Sequence, residues 1–140
     1  MILKIKKIHP DAKIPKYAHH DDAGFDLFTP ENVIVKKGER FGVPTGIAME
    51  IPEGYVGLIW DKSGIAIKNG MKTLGGVIDS TYRGEVLVGM INLSGNDYVF
   101  EKGHKIAQMI IQKKETVEFE ECSELADTTR GCGGFGSTGK

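Results

Sequence analysis

Asp79 and Tyr82 stand three residues apart in Gly75-Gly76-Val77-Ile78-Asp79-Ser80-Thr81-Tyr82-Arg83-Gly84-Glu85-Val86-Leu87-Val88. An Asp of ordinary pKa, about 3.9, is ionised at neutral pH, so a carboxylate at a strand end can orient a water beside a flat aromatic surface. The same Asp can equally cap a turn. A second candidate is Lys62-Ser63-Gly64. At a helix start these residues offer a charge, a hydroxyl and free backbone N–H groups to a phosphate; they also describe an ordinary capped helix. His19-His20-Asp21-Asp22 puts four potential metal ligands in a row, but neighbours on an extended segment point to opposite sides, which makes a solvated loop the better reading. Asp26 interrupts an apolar segment, where a carboxylate is costly unless paired or used. Gln108 lies in a largely apolar run and needs hydrogen-bond partners, from a backbone neighbour or a ligand.

The elements that must position these residues are short strands. Val77-Ile78 and Val86-Leu87-Val88 read as strands joined through the polar loop between them into a hairpin. Before them, an alternating run at residues 1–8 and short apolar runs at 23–28, 33–35, 41–43, 46–51 and 55–60 are separated by turn residues, and further strands follow at residues 86–93, 98–100 and 105–111. One helix is expected over residues 61–70, with Ser63 as N-cap and Gly70 as the stop. Nineteen glycines among 140 residues support many tight turns and a single all-β domain of the sandwich or jelly-roll kind.

Charge narrows the partners. Eighteen Lys and Arg against nineteen Asp and Glu leave a net charge of −1, so no nucleic acid and no acidic membrane is expected, and any anion site must be local. Cys122 and Cys132 lack metal-ligand spacing and argue against a structural disulfide, which fits a reducing cytoplasm. The opening residues are too charged for a signal segment, and no apolar run reaches membrane-spanning length.

Near the end, Gly134-Phe135-Gly136-Ser137-Thr138-Gly139-Lys140 imitates glycine-rich nucleotide motifs. Those motifs require a strand before and a helix after, and neither is read here. What is read is an arm, with Arg130, Phe135, Ser137 and Thr138 on a backbone loose enough to wrap an anionic ligand.

Five segments in order resemble the five motifs of the trimeric dUTPase family, whose members hydrolyse dUTP to dUMP and pyrophosphate. They are Ala23-Gly24-Phe25-Asp26-Leu27, Asp61-Lys62-Ser63-Gly64, residues 76–84, residues 103–109 and residues 130–139, together spanning nearly the whole chain. The resemblance implies a distorted β jelly roll (a dUTPase-like β-clip) over residues 1–129, and an arm over 130–140 closing on the site. It also implies a homotrimer with active sites shared between subunits, and a Mg2+ cofactor held mainly by phosphates and waters. Asp79 would be the general base. Gly76, Val77, Ile78 and Leu87 would bind uracil through the hairpin, without room for thymine's methyl group, and Tyr82 would lie under the deoxyribose and crowd out a 2'-hydroxyl. Lys62, Ser63, the Gly64 N–H, Gln108 and Arg130 would neutralise phosphate charge. Asp26 would sit in the ion's outer sphere, via water, or brace the phosphate site. Phe135 would stack on the uracil as Gly136 and the rest of the arm close, with Arg130, Ser137 and Thr138 reaching the γ-phosphate.

The chain departs from the family pattern in three places. Asp61-Lys62 stands where Pro-Arg is usual, Thr73 where many relatives place an Asn that helps read uracil, and Lys105 where Arg is usual. Lys keeps the charge but loses the bidentate fork; a Thr hydroxyl can donate or accept. Two other readings use the same scaffold. A dCTP deaminase would need an acid to work on the cytosine ring, and Glu85 is the candidate, although no deaminase phosphate segment is present. A non-catalytic nucleotide-binding trimer would not need Asp79, Tyr82 and Phe135 together.

Overall fold

The structure is a computed structural model that describes residues 1–134. Eleven short strands and one helix run in the order β1 (Lys4–Lys7), β2 (Phe25–Phe28), β3 (Val33–Val35), β4 (Arg40–Pro44), β5 (Ile47–Glu50), β6 (Tyr55–Trp60), α1 (Ser63–Asn69), β7 (Met71–Leu74), β8 (Val77–Asp79), β9 (Leu87–Asn92), β10 (Tyr98–Phe100) and β11 (Lys105–Lys113). Every ladder between them is antiparallel. The strands form a four-stranded sheet β2-β11-β6-β8, a three-stranded sheet β4-β9-β7 and the pairs β1-β5 and β10-β3. Leu27, Val43, Val88, Phe100 and Met109 are fully enclosed between them. This is the jelly-roll-like, nearly all-β architecture that the spacing of turn residues and β-branched runs predicts.

The pairing differs from the sequence expectation at the central stretch. β8 pairs with β6, and β9 pairs with β4 and β7, so the two arms of the expected hairpin belong to different sheets. Hydrogen bonds around Val86 explain the split. Its N–H donates to the Ile47 carbonyl at 2.9 Å, and its carbonyl accepts the Thr45 hydroxyl at 2.6 Å. The Glu85 carboxylate receives the Gly46 N–H at 2.7 Å. These contacts draw the second arm to the β4–β5 connection, away from β8.

Helix α1 also starts differently. Lys62, in extended conformation, precedes it, Ser63 is its first residue, and no side chain caps the first turn. Asp61, the neighbour best suited to cap, is instead bonded to Lys72 and Thr73. The C-terminal stop is as expected, with Gly70 left-handed at φ 67°. Strand β7 went unread because its four residues, Met-Lys-Thr-Leu, bury only Met71 and Thr73. Among the described residues regular structure ends at Lys113, and residues 114–134 form no helix or strand.

Candidate active site

Asp79 closes β8 with an exposed side chain, its backbone opposite Val56 of β6. The chain then folds back on itself, and the Tyr82 N–H reaches the Asp79 carbonyl at 3.1 Å. The Arg83 guanidinium clamps the same turn through the carbonyls of Ser80, at 2.6 Å, and Tyr82, at 2.9 Å. Tyr82 donates its hydroxyl to the Glu85 carbonyl at 3.0 Å and lays its ring over Gly84, where an added Cβ would lie 2.7 Å from the ring's Cζ. Only glycine fits beneath the ring. The result is a carboxylate at a rigid strand end beside a fixed, 45% exposed tyrosine.

The residues ahead of Asp79 line a separate cavity of about 170 Å³ bounded by Trp60, Lys72, Thr73, Gly76 and Val77. Gly76 makes its wall possible. It holds φ at 96°, accepts the Ile59 N–H at 2.8 Å, and leaves no room for a Cβ, which would sit 3.0 Å from the Ile59 carbonyl oxygen. Thr73, Gly76 and Val77 are therefore brought together. Ile78 is half-buried beside them in β8, while Leu87 opens β9 opposite Pro44, with 49% of its surface exposed.

A third group gathers where β2, β11 and β6 lie side by side, with Asp26, Gln108 and Trp60 directly opposite one another. Asp26 is almost wholly enclosed, its side chain 3% exposed, with Lys62 Nζ at 2.5 Å from Oδ1 and Lys105 Nζ at 2.7 Å from Oδ2. Lys105 approaches off the line of a proper hydrogen bond, so Oδ2 holds an ion pair without an aligned donor. Burial works to raise the Asp26 pKa, and Lys105 and Lys62 outweigh it, leaving the carboxyl below its ordinary value. The interrupted apolar strand thus carries a salt bridge, one of the two outcomes its sequence allows. Gln108 donates to the Asp61 carbonyl at 2.8 Å, a backbone partner of the kind a half-buried Gln requires. Ser63 and Gly64 lie exposed just beyond Lys62.

Asp61 links the last two groups; the sequence marks it only as a departure from the family pattern and gives it no role. Its carboxylate accepts Lys72 Nζ at 2.7 Å, the Thr73 N–H at 2.7 Å and the Thr73 hydroxyl at 2.8 Å. Burial works to raise its pKa, but the bonds from Lys72 and Thr73 hold it below the usual carboxylate value. The signal was an acid directly after a strand, with a Lys and a Thr eleven and twelve residues on; the folding of β7 back beside β6 was needed to make it legible.

The groups do not all meet. Gln108 faces Trp60 and Asp79 faces Val56, on opposite sides of β6. At a rise of about 3.4 Å per residue and a strand spacing of about 4.8 Å, they stand about 14 Å apart along the sheet and about 10 Å across it. At that separation the two side chains do not meet within one chain. Arg130 donates to the Gly133 carbonyl three residues on, and the backbone hydrogen bonds described beyond Lys114 are all local. Phe135, Gly136, Ser137 and Thr138 lie outside the described residues.

The donors among the described residues do not fit a protein-held metal ion. Among the described residues no three His, Cys, Asp or Glu side chains converge. Asp26, expected to hold an ion's water, has both oxygens against lysines and two positive charges for its one. In the His19 to Asp22 loop, His20 pairs with Asp21 in nearly full exposure. No helix among the described residues is long and apolar enough to cross a membrane.

Known proteins share this fold. A family model described as dUTPase matches residues 10–139. The deoxyuridine 5'-triphosphate nucleotidohydrolase of Nautilia profundicola is 49% identical, covering 100% of both chains, and that of Clostridium tetani is 47% identical, covering 99% of this chain and 97% of its own. Among solved structures, the dUTPase of Staphylococcus bacteriophage 80alpha with dUPNHPP superposes at a TM-score of 0.93 with 30% identity, covering 99% of each chain. A phage phi11 dUTPase variant, solved to describe coordination of a structural Mg(II) ion, superposes at 0.85 with 26% identity over 91% of this chain and 100% of its own. With the family model spanning both the Asp79 turn and the Asp26 cluster, and relatives matched end to end at close to half identity, the chain belongs to the dUTPase family.

Proposed function

We propose that this chain hydrolyses dUTP to dUMP and pyrophosphate, with Asp79 as general base for a water that attacks the α-phosphorus. The carrying observation is the Asp79 turn, an exposed carboxylate on a residue whose carbonyl is held by the Tyr82 N–H, whose following turn is clamped by Arg83 through Ser80 and Tyr82, and whose neighbouring ring is fixed over Gly84. The water gives its proton to Asp79 as its oxygen bonds to the α-phosphorus, and the bond to the bridging oxygen breaks with pyrophosphate leaving. Tyr82 lies under the deoxyribose. Uracil takes the cavity between Thr73, Gly76 and Val77, with Ile78 and Leu87 adjoining. Ser63, the Gly64 N–H, Gln108 and the surplus positive charge of Lys62 and Lys105 face the phosphates. Arg130, Phe135, Gly136, Ser137 and Thr138 come from the arm.

Because Asp79 and Gln108 stand at opposite ends of β6, one chain does not complete a site. A homotrimer that shares its sites between neighbours resolves this. Mg2+ would arrive on the nucleotide's phosphates and supply charge neutralisation there. In the cell the reaction would limit uracil incorporation into DNA and supply dUMP, in the cytoplasm. The deaminase alternative loses its acid, since the Glu85 carboxylate is bonded to the Gly46 N–H.

Pyrophosphate release from dUTP, dCTP, dTTP and UTP, measured side by side with Mg2+ present and ammonia assayed in the dCTP tube, tests this. Release from dUTP alone is expected, and Asp79→Asn should lower it by ~10² or more with dUTP binding retained. Ammonia from dCTP would move the chain to the deaminases. Silence in every tube, from folded protein that binds dUTP, would make the scaffold non-catalytic.

A further inference from the structure

The cavity beside β8 has an unusual polar lining. Of the side chains around it, Lys72 and Trp60 can only donate hydrogen bonds, and the remaining residues are apolar or glycine, apart from Thr73. Thr73 is therefore the only lining side chain that can accept. Its own donors are already committed, the N–H at 2.7 Å and the hydroxyl at 2.8 Å, both to Oδ1 of Asp61. Lys72 Nζ, anchored at 2.7 Å on the other Asp61 oxygen, reaches the Thr73 hydroxyl oxygen only at 3.5 Å. A hydroxyl has one proton and two lone pairs, and an ionised carboxylate can only accept. Thr73 is thus left with an acceptor and nothing to donate.

We propose that Asp61 is a positioning residue for base choice: by taking the proton of the Thr73 hydroxyl it fixes Thr73 Oγ1 as an acceptor for the N3–H of uracil, against the bare N3 lone pair of cytosine. This rests on dUTP being the substrate. A site built to bond an N–H group disfavours an analogue that presents a lone pair at the same place, because the site's acceptor is left facing another acceptor. The direction of the Asp61 pKa, held down by Lys72 and Thr73 against its burial, keeps the carboxylate ionised and accepting at neutral pH. The same Asp61 offers its carbonyl to Gln108, so base cavity and phosphate cluster share one residue.

The test is the ratio of kcat/KM for dUTP to that for dCTP, with pyrophosphate release as readout, in the wild-type chain, Thr73→Val, Thr73→Ser and Asp61→Asn. Both nucleotides are assayed on one preparation, so a loss of folded protein cancels from the ratio. Thr73→Val should raise KM for dUTP roughly tenfold with kcat retained, the worth of one hydrogen bond to the base, and lower the ratio. Thr73→Ser should keep the wild-type ratio. Asp61→Asn, whose amide can itself donate to Oγ1 and free the hydroxyl proton to face cytosine N3, should lower the ratio roughly tenfold. An unchanged ratio in Asp61→Asn, or in Thr73→Val, overturns the assignment alone. So does a raised ratio, which would put the hydroxyl against the cytosine amino group. A wild-type chain that is folded and releases nothing from dUTP overturns the substrate and this assignment together.

Discussion

Replacing Asp26 by Asn removes one charge from a group of three while keeping its shape. The carboxylate is 3% exposed, so it is deeply dependent on Lys62 and Lys105; they are 26% and 44% exposed and can swing their ammonium groups into water once released. Breaking a fully buried pair costs about 3–5 kcal/mol, and an exposed one at most about 1. Between those limits the expected loss is about 2–3 kcal/mol, or about 6–9 °C in melting temperature for a chain of this size. The pH dependence is sharper than the magnitude. Asp26 has a folded-state pKa below its unfolded one, because Lys105 and Lys62 outweigh the effect of burial. Its stabilisation is therefore complete above the unfolded pKa of about 3.9 and is lost as pH falls through the lower, folded value. Melting curves of wild type and Asp26→Asn at pH 7, 5 and 3, at one protein concentration, should show the full gap at pH 7 and 5 and a reduced one at pH 3, where the loss has begun. An undiminished gap at pH 3 would mean that shape rather than charge supports the fold here. No gap at pH 7 would remove the triad from the stability of the domain. Mg2+ without nucleotide should leave the wild-type curve in place; an upward shift that Asp26→Asn abolishes would return Asp26 to the ion.

Three further outcomes follow from the geometry. If Asp79→Asn and Gln108→Ala chains are each inactive, denaturing and refolding them together at equal amounts should restore about a quarter of wild-type activity, the share of neighbouring pairs that join an intact Asp79 to an intact Gln108; no recovery would place both residues in one subunit. Gly84→Ala drives a methyl group into the Tyr82 ring, with its hydroxyl and Cζ both in the way, and should cost about 1–3 kcal/mol; with Tyr82 proposed as the surface that crowds out a 2'-hydroxyl, the UTP to dUTP activity ratio should rise, and an unchanged ratio would separate Tyr82 from sugar choice. Removing residues 130–140 should cut turnover and leave the melting temperature near wild type, since the described backbone hydrogen bonds past Lys114 join only near neighbours; failure to fold would make the arm part of the body.

Much of the fold was legible because its signals are local. Glycine-bounded β-branched runs gave ten of the eleven strands approximately, and Gly70 gave the helix stop. Asp79 at a strand end and Gln108 seeking a backbone partner were readable from their neighbours alone. Pairing was not readable. Whether β8 joins β9 or β6 is decided by Thr45, Gly46 and Ile47, about forty residues away in sequence, which hold Glu85 and Val86, and no period in the chain carries that information. The missed cap had a similar origin, because Asp61 was taken by residues of β7, a strand too short to announce itself.

The departures from the family pattern were separate oddities in the sequence, and the fold makes them neighbours. Asp61 bonds Thr73, Lys62 follows Asp61 and pairs with Asp26, and Lys105 takes the other oxygen of Asp26. A guanidinium grips a carboxylate with two parallel bonds, whereas a lysine is a single point charge; here two lysines divide the two oxygens of one acid between them. In the same way, an amide carries donor and acceptor at once, whereas a hydroxyl must be told which to be, and Asp61 supplies that instruction. Restoring one residue of such a set without its partner should therefore be worse than restoring both. Thr73→Asn alone puts an amide oxygen or an amide nitrogen against a carboxylate that already holds Lys72, while Asp61→Pro with Thr73→Asn removes the competing carboxylate and leaves the amide to the base. The single variant should lose dUTP over dCTP preference and the double variant regain it; additive losses would show that the two positions act independently.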